Sequence, residues 1–168
     1  MKRPAFLVFA ALCLVSFGAV RASDESNDTI LQWHSMAAVQ SPYFSISVPF
    51  TPIDGVGGGN ARWIIDKGWG HLKANGDLRV HTRGLILPDP PFNGQNVVPF
   101  FRVLIKCRSV DANGAANLVE TFTENYPADT AGNSDLITNV SLPSPCYAPS
   151  IFVMHFAAPR WFATTGSN

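Results

Sequence analysis

Apolar residues in this chain recur at every second position and never, over any long window, at the helical spacing of three and four. Phe44, Ile46, Val48 and Phe50 alternate with Ser45, Ser47 and Pro49. The same pattern returns in Leu78, Val80 and Thr82, in Phe101, Val103, Ile105 and Cys107, in Leu136, Thr138, Val140 and Leu142, and in Ile151, Val153 and His155. A period of two sends alternate side chains to opposite faces, so each stretch predicts a strand with one buried face. Short strands punctuated by turn residues predict an all-β fold: an antiparallel β-sandwich, with a β-barrel as the alternative. Pro49 and Pro99 then belong at strand starts, edges or bulges, because proline cannot donate to a ladder.

Between the strands, Pro52–Asn60 reads as a flexible glycine-rich connection and Pro88–Gly94 as a stiff one. No internal repeat of solenoid period occurs. Only 14% of the 168 residues are charged while 46% are hydrophobic, which argues against a disordered polyelectrolyte, a coiled coil or a histone-like nucleic-acid binder.

The N-terminus has the layout of a cleaved export signal. Lys2 and Arg3 precede an apolar run from Ala5 to Val15, and Ala19-Val20-Arg21-Ala22 ends in small-x-small spacing. Cleavage is expected after Ala22, giving a secreted or periplasmic product. The apolar run is shorter than the roughly 20 residues a membrane-spanning helix needs, so no integral segment is expected in the mature chain. A lipoprotein anchor at Cys13 is disfavoured, because that cysteine lies inside the apolar run behind Leu12. The expected organisation is a signal peptide over 1–22, an N-terminal extension over 23–40 and a single β-rich domain over 41–168. Within the extension, 23–29 is polar and Leu31–Val39 fits an edge strand or a short helical turn.

Loss of residues 1–22 removes Lys2, Arg3 and Arg21, so twelve basic groups become nine against twelve acidic ones, a net charge of −3. A surface of that sign repels phosphate backbones, so neither nucleic acid nor an anionic membrane is an expected partner. Cys13 leaves with the signal, and the remaining pair, Cys107 and Cys146, reads as one disulfide in an oxidising compartment. Closing a loop of about 40 residues is worth roughly 3 to 4 kcal/mol in the chain-entropy picture.

One hairpin has a register that the sequence decides. Trp69–Lys73 enters Ala74-Asn75-Gly76, and Asp77–His81 leaves it. A two-residue Asn75-Gly76 loop would set Leu72 against Arg79. A three-residue loop with Gly76 in the left-handed conformation pairs Lys73 with Asp77, Leu72 with Leu78 and Gly70 with Val80, keeping one face apolar. The opposite face then carries Trp69, His71, Lys73, Asp77, Arg79 and His81, with His71 and His81 as diagonal neighbours about 7 to 8 Å apart along the backbone.

That polar face holds the candidate site. A solvated sheet face accounts for the alternation without any ligand. Trp69, His71, Arg79 and His81 also suit a shallow aromatic platform for a carbohydrate or protein ligand, and His71 with His81 suits part of a divalent-metal site that lacks a third donor. No cofactor is expected. Gly55–Asn60 lacks the spacing of a phosphate-binding loop, and no Gly-x-Ser-x-Gly, His-Glu-x-x-His or duplicated Cys/His motif occurs. Asp66, Asp77, Glu120, Glu124 and Asp135 are scattered, and spacing nominates no catalytic pair among them. An enzyme would require at least two of His71, His81, His155, Asp66 and Asp77 to converge in a concave pocket. Two Asn-x-Ser/Thr triplets, at Asn27 and Asn139, read as chance occurrences.

Further segments carry a resemblance. Trp63–Asp66, the Lys73–Val80 hairpin, Gly84–Pro88, Asn96–Val103 with Cys107, Leu142–Val153 and Trp161–Gly166 together look like a group of small exported bacterial proteins of uncharacterised activity. The likeness spans roughly residues 60–166. It implies a paired-cysteine, β-rich domain and brings no catalytic residue with it. Trp161 and Phe162 are expected to dock as a last strand, since an exposed aromatic pair would invite association. The expected function is that of a non-enzymatic binding or structural module of the cell envelope or extracellular space. The alternatives are an extracellular enzyme with a dispersed site and a metal carrier using His71 and His81.

Overall fold

A computed structural model describes residues 28–44, 46 and 51–165. The expected signal peptide and its cleavage point lie outside the described residues. So do Asn27 and most of the stretch around Val48 and Phe50. Eleven strands occur among the described residues: β1 (Thr29–Trp33), β2 (Ala37–Ala38), β3 (Gly57–Gly58), β4 (Lys67–Lys73), β5 (Asp77–Arg83), β6 (Phe100–Val110), β7 (Ala116–Phe122), β8 (Tyr126–Pro127), β9 (Ser134–Asn139), β10 (Tyr147–His155) and β11 (Arg160–Thr164). They form two sheets that share one apolar core, a sandwich-like all-β arrangement with no closed barrel. No helix among the described residues is long and apolar enough to cross a membrane.

The smaller sheet runs β1-β4-β5-β9 and is antiparallel throughout. Its hairpin has the three-residue register: Gly70 pairs with Val80 and Leu72 with Leu78. Gly76 sits at φ 86°, and Gly76 N–H donates to Lys73 O at 2.9 Å. Glycine is required there twice over, because a Cβ would also strike the carbonyl of Val140, just beyond β9. Leu72, Leu78 and Val80 are fully buried on the inner face. Gly68 and Gly70 point the same way, and the space they leave is filled by Met36 and by the ring of Trp33 from β1. Trp33 thus anchors the edge strand and turns its neighbours Gln32 and His34 outward.

The larger sheet runs β2-β11-β10-β6-β7, with β8 on β6 and β3 parallel to β11. Phe101, Val103, Ile105 and Cys107 are buried, as the alternation requires. Leu104 and Lys106, on the other face of β6, are buried too, since that face lies under the loop around Asp54–Gly57. Lys106 Nζ donates to Asp54 O and lies 2.8 Å from Glu120. Trp161 and Phe162 dock in β11 with 1% and 4% exposure, and the Trp161 indole N–H donates to Val56 O at 3.1 Å. The Cys107–Cys146 disulfide closes a separation of 39 residues. It links β6 to the entry of its sheet neighbour β10, and β6 continues past Cys107 to Val110.

Three local expectations change. Among the described residues Phe44 makes one parallel bridge, to Gly58, and Ile46 is exposed in a turn, so neither lies in a regular strand. The period-two run from Leu136 leaves the ladder after Asn139, where the Val140 N–H bonds Gly76 O in the hairpin turn. Val56–Gly59 is buried rather than a loose connection. Gly58 is packed against Val39 and the Tyr43 carbonyl, so the absence of side chains there serves close approach.

Candidate functional site

The outer face of the smaller sheet brings the four candidate residues together. Cross-strand pairing aligns Gln32, His71, Arg79 and Ile137 in one row and Trp69, His81 and Asp135 in the next. A groove of about 210 Å³ lies between β1 and the hairpin, lined by Gln32, His34, Trp69, His71, Arg79 and His81 together with backbone.

The two histidines are held apart by different carboxylates. His71 Nε2 lies 3.4 Å from Asp77 Oδ2, which Lys73 also approaches at 3.2 Å. His81 Nδ1 lies 2.6 Å from Asp135 Oδ1. The His81 ring stacks on Trp69, with centroids 5.0 Å apart and planes 16° apart. Arg83 closes this cluster: its guanidinium bonds both Asp135 oxygens at 2.9 and 3.1 Å and lies 5.2 Å from the centre of the Trp69 ring. Two of the four candidates are therefore clamped in a planar stack, which fixes their rotamers.

The carboxyl groups respond to these contacts. Burial pushes the Asp77 carboxyl up, but the hydrogen bonds and charges of Lys73 and His71 outweigh it and hold the group below the usual range. The His81 hydrogen bond is the largest influence on Asp135, followed by an opposing push from burial. With the Arg83 contacts added, the Asp135 carboxyl also lies below its ordinary value. Both acids are thus ionised at neutral pH and act as fixed acceptors. Arg79 is different: its nearest acidic oxygen is Asp77 Oδ1 at 3.9 Å, and its guanidinium makes no hydrogen bond among the described residues.

The other candidates lie elsewhere. Asp66 packs beside Gly84, Glu120 pairs with Lys106, and Glu124 is exposed. His155, at the end of β10, stacks on Phe156, and its Nδ1 accepts a hydrogen bond from the Ala157 N–H. Among His71, His81, His155, Asp66 and Asp77, the pair within hydrogen-bond reach is His71 and Asp77. Among the described residues, no group of three or more His, Cys, Asp or Glu is arranged to hold a metal ion. Asn139 ends β9, with its side-chain amide donating to Asn75 O at 3.1 Å.

Sequence reasoning had not tied Gln32, His34, Arg83 or Asp135 to this face. Leu31-Gln32-Trp33-His34 does alternate apolar and polar, which is a strand signal, but its pairing with β4 is a long-range fact. No protein-family model matches the chain, and no curated protein and no solved structure matches it either.

Proposed function

We propose that this chain is an exported bacterial binding module, secreted or periplasmic after loss of its signal peptide, and that the outer face of the smaller sheet receives an acidic carbohydrate. The observation that carries this reading is the exposed Arg79 guanidinium, which makes no hydrogen bond among the described residues and lies 3.9 Å from its nearest carboxylate oxygen, in a groove it shares with Gln32, three histidines and Trp69. A guanidinium whose hydrogen-bond donors are unused seeks a carboxylate or sulfate, while planar and amide side chains suit the faces and hydroxyls of a sugar ring. Lys67, Lys73, Arg79 and Arg83 against Asp77 and Asp135 leave the face positive on a domain whose mature chain is acidic overall. An acidic protein segment is the competing ligand.

Affinity electrophoresis through gels containing alginate, a polyuronic acid, or neutral dextran tests the proposal. Retardation by alginate alone, lost in Arg79→Ala and weakened in Trp69→Ala, is expected. Equal retardation of the wild type and Arg79→Ala, or none of the wild type, overturns it.

A second reading rests on His81. Asp135 occupies its Nδ1 and leaves Nε2 to act as a base, the geometry of an oriented histidine. The groove lining contains no Ser, Thr, Cys or Lys, so such a base would activate water. Turnover of chromogenic glycosides that disappears in His81→Ala would favour this reading over binding alone.

A further inference from the structure

We propose that the outer face of the larger sheet carries a separate site for a single-tailed amphiphilic carboxylate, such as a medium-chain fatty acid. A cavity of about 240 Å³ opens there, with Val56, Leu104, Phe122, Met154 and Pro159 supplying apolar walls and Arg160 lining it. Arg102, paired with Met154 across β6 and β10, spreads its guanidinium over the Phe122 ring at 4.7 Å. Neither guanidinium has a carboxylate or hydrogen-bond partner among the described residues, and Arg102 Nε is buried without one. Arg62 and Arg83, by contrast, both bond an aspartate.

A buried, unsatisfied charged donor is costly, and the Phe122 face offsets only part of that cost. An incoming carboxylate would give the Arg160 guanidinium in the cavity wall the acceptor it lacks, in charge-assisted form, with the Arg102 charge close by over Phe122. Glu120, the acid in the lining, is bound to Lys106 at 2.8 Å and does not neutralise the arginines. His155 lies close enough to feel Arg102: burial first, and then that positive charge, hold its pKa below the ordinary value. The site charge at neutral pH therefore comes from the two guanidiniums. A bare inorganic anion would leave the apolar walls unused, whereas each methylene buried against them contributes about 0.8 kcal/mol. A concavity of about 240 Å³ suits one tail rather than a bilayer surface.

The test is titration of the mature protein, methyl-labelled at methionine, with octanoate. Met154 lines the cavity and Met36 lies in the core beside β4, so the Met154 resonance is expected to shift in a saturable way while Met36 stays in place. Acetate and 1-octanol, lacking the tail or the charge, should each bind at least about tenfold more weakly. Arg160→Gln, at a half-exposed position, should weaken octanoate to a similar degree without unfolding, and Arg102→Gln should weaken it further. No shift of Met154, equal shifts of both methionines, unchanged affinity in Arg160→Gln, or octanol binding as tightly as octanoate overturns the proposal. Co-sedimentation with phosphatidylglycerol vesicles in the absence of an octanoate response would assign the arginines to a membrane surface and overturn it as well.

Discussion

His81 Nδ1 and Asp135 Oδ1 meet at 2.6 Å across the β5–β9 pairing, 54 residues apart in the chain. The same carboxylate accepts two hydrogen bonds from Arg83, and His81 and Arg83 both contact Trp69. One aspartate therefore organises the stack that borders the groove. Asp135→Asn is expected to cost about 1 kcal/mol at neutral pH, the upper end for a partly exposed ion pair, because several contacts share it. Because folding lowers the Asp135 pKa, its stabilisation is complete above the unfolded value of about 4 and is lost as pH falls through the folded value. Urea denaturation should show a gap between wild type and Asp135→Asn that shrinks as pH falls below about 4. A gap that grows below about pH 4 would contradict the assignment.

The Cys107–Cys146 bridge spans 39 residues and joins adjacent strands of the larger sheet. Replacing both cysteines with serine should lower stability by about 2 to 4 kcal/mol, with little change in the β-sheet circular dichroism of the molecules that remain folded. Thiol titration of a native chain beginning at Ser23 should find no free thiol without a reductant.

Gly58 lies where a Cβ would meet Val39 and the Tyr43 carbonyl, the latter being backbone that cannot move aside. Gly58→Ala should cost about 1 to 3 kcal/mol by thermal denaturation. Gly114, in the β6–β7 turn, has open space around it but sits at φ 79°. Gly114→Asn should be tolerated, since asparagine accepts that conformation, and this separates crowding from backbone preference.

Trp161 is 1% exposed and contacts Tyr43 and Phe152. Trp161→Ala should cost about 3 to 5 kcal/mol, and truncation after Pro159 should abolish the cooperative melting transition. Trp161→Phe should retain most of the packing and lose about 1 to 2 kcal/mol, because the Val56 carbonyl then loses its indole donor.

Much of the hairpin could be read in advance because its constraints are local. Leu72, Leu78 and Val80 must share a face, and of the two registers that Asn75-Gly76 permits only the three-residue one keeps them together. The disulfide and the docking of Trp161 and Phe162 were legible for similar reasons of pairing and burial. β7 was not legible: Ala116–Phe122 is an edge strand whose residues are mostly exposed, so no strong alternation marks it. The glycine run at 57–59 looked loose because composition records the lack of side chains and not the Val39, Tyr43 and Trp63 groups packed into that space.

By itself, the sequence determined the all-β class, the cystine and which side of the β4–β5 hairpin meets water, since alternation and turn chemistry act over a few residues. Only the tertiary structure decided that β1 brings Gln32 and His34 to that side and that β9 brings Asp135 to His81. Neighbouring strands are selected by how whole apolar faces fill a common core, a property of the assembled sheets that no short stretch of residues encodes.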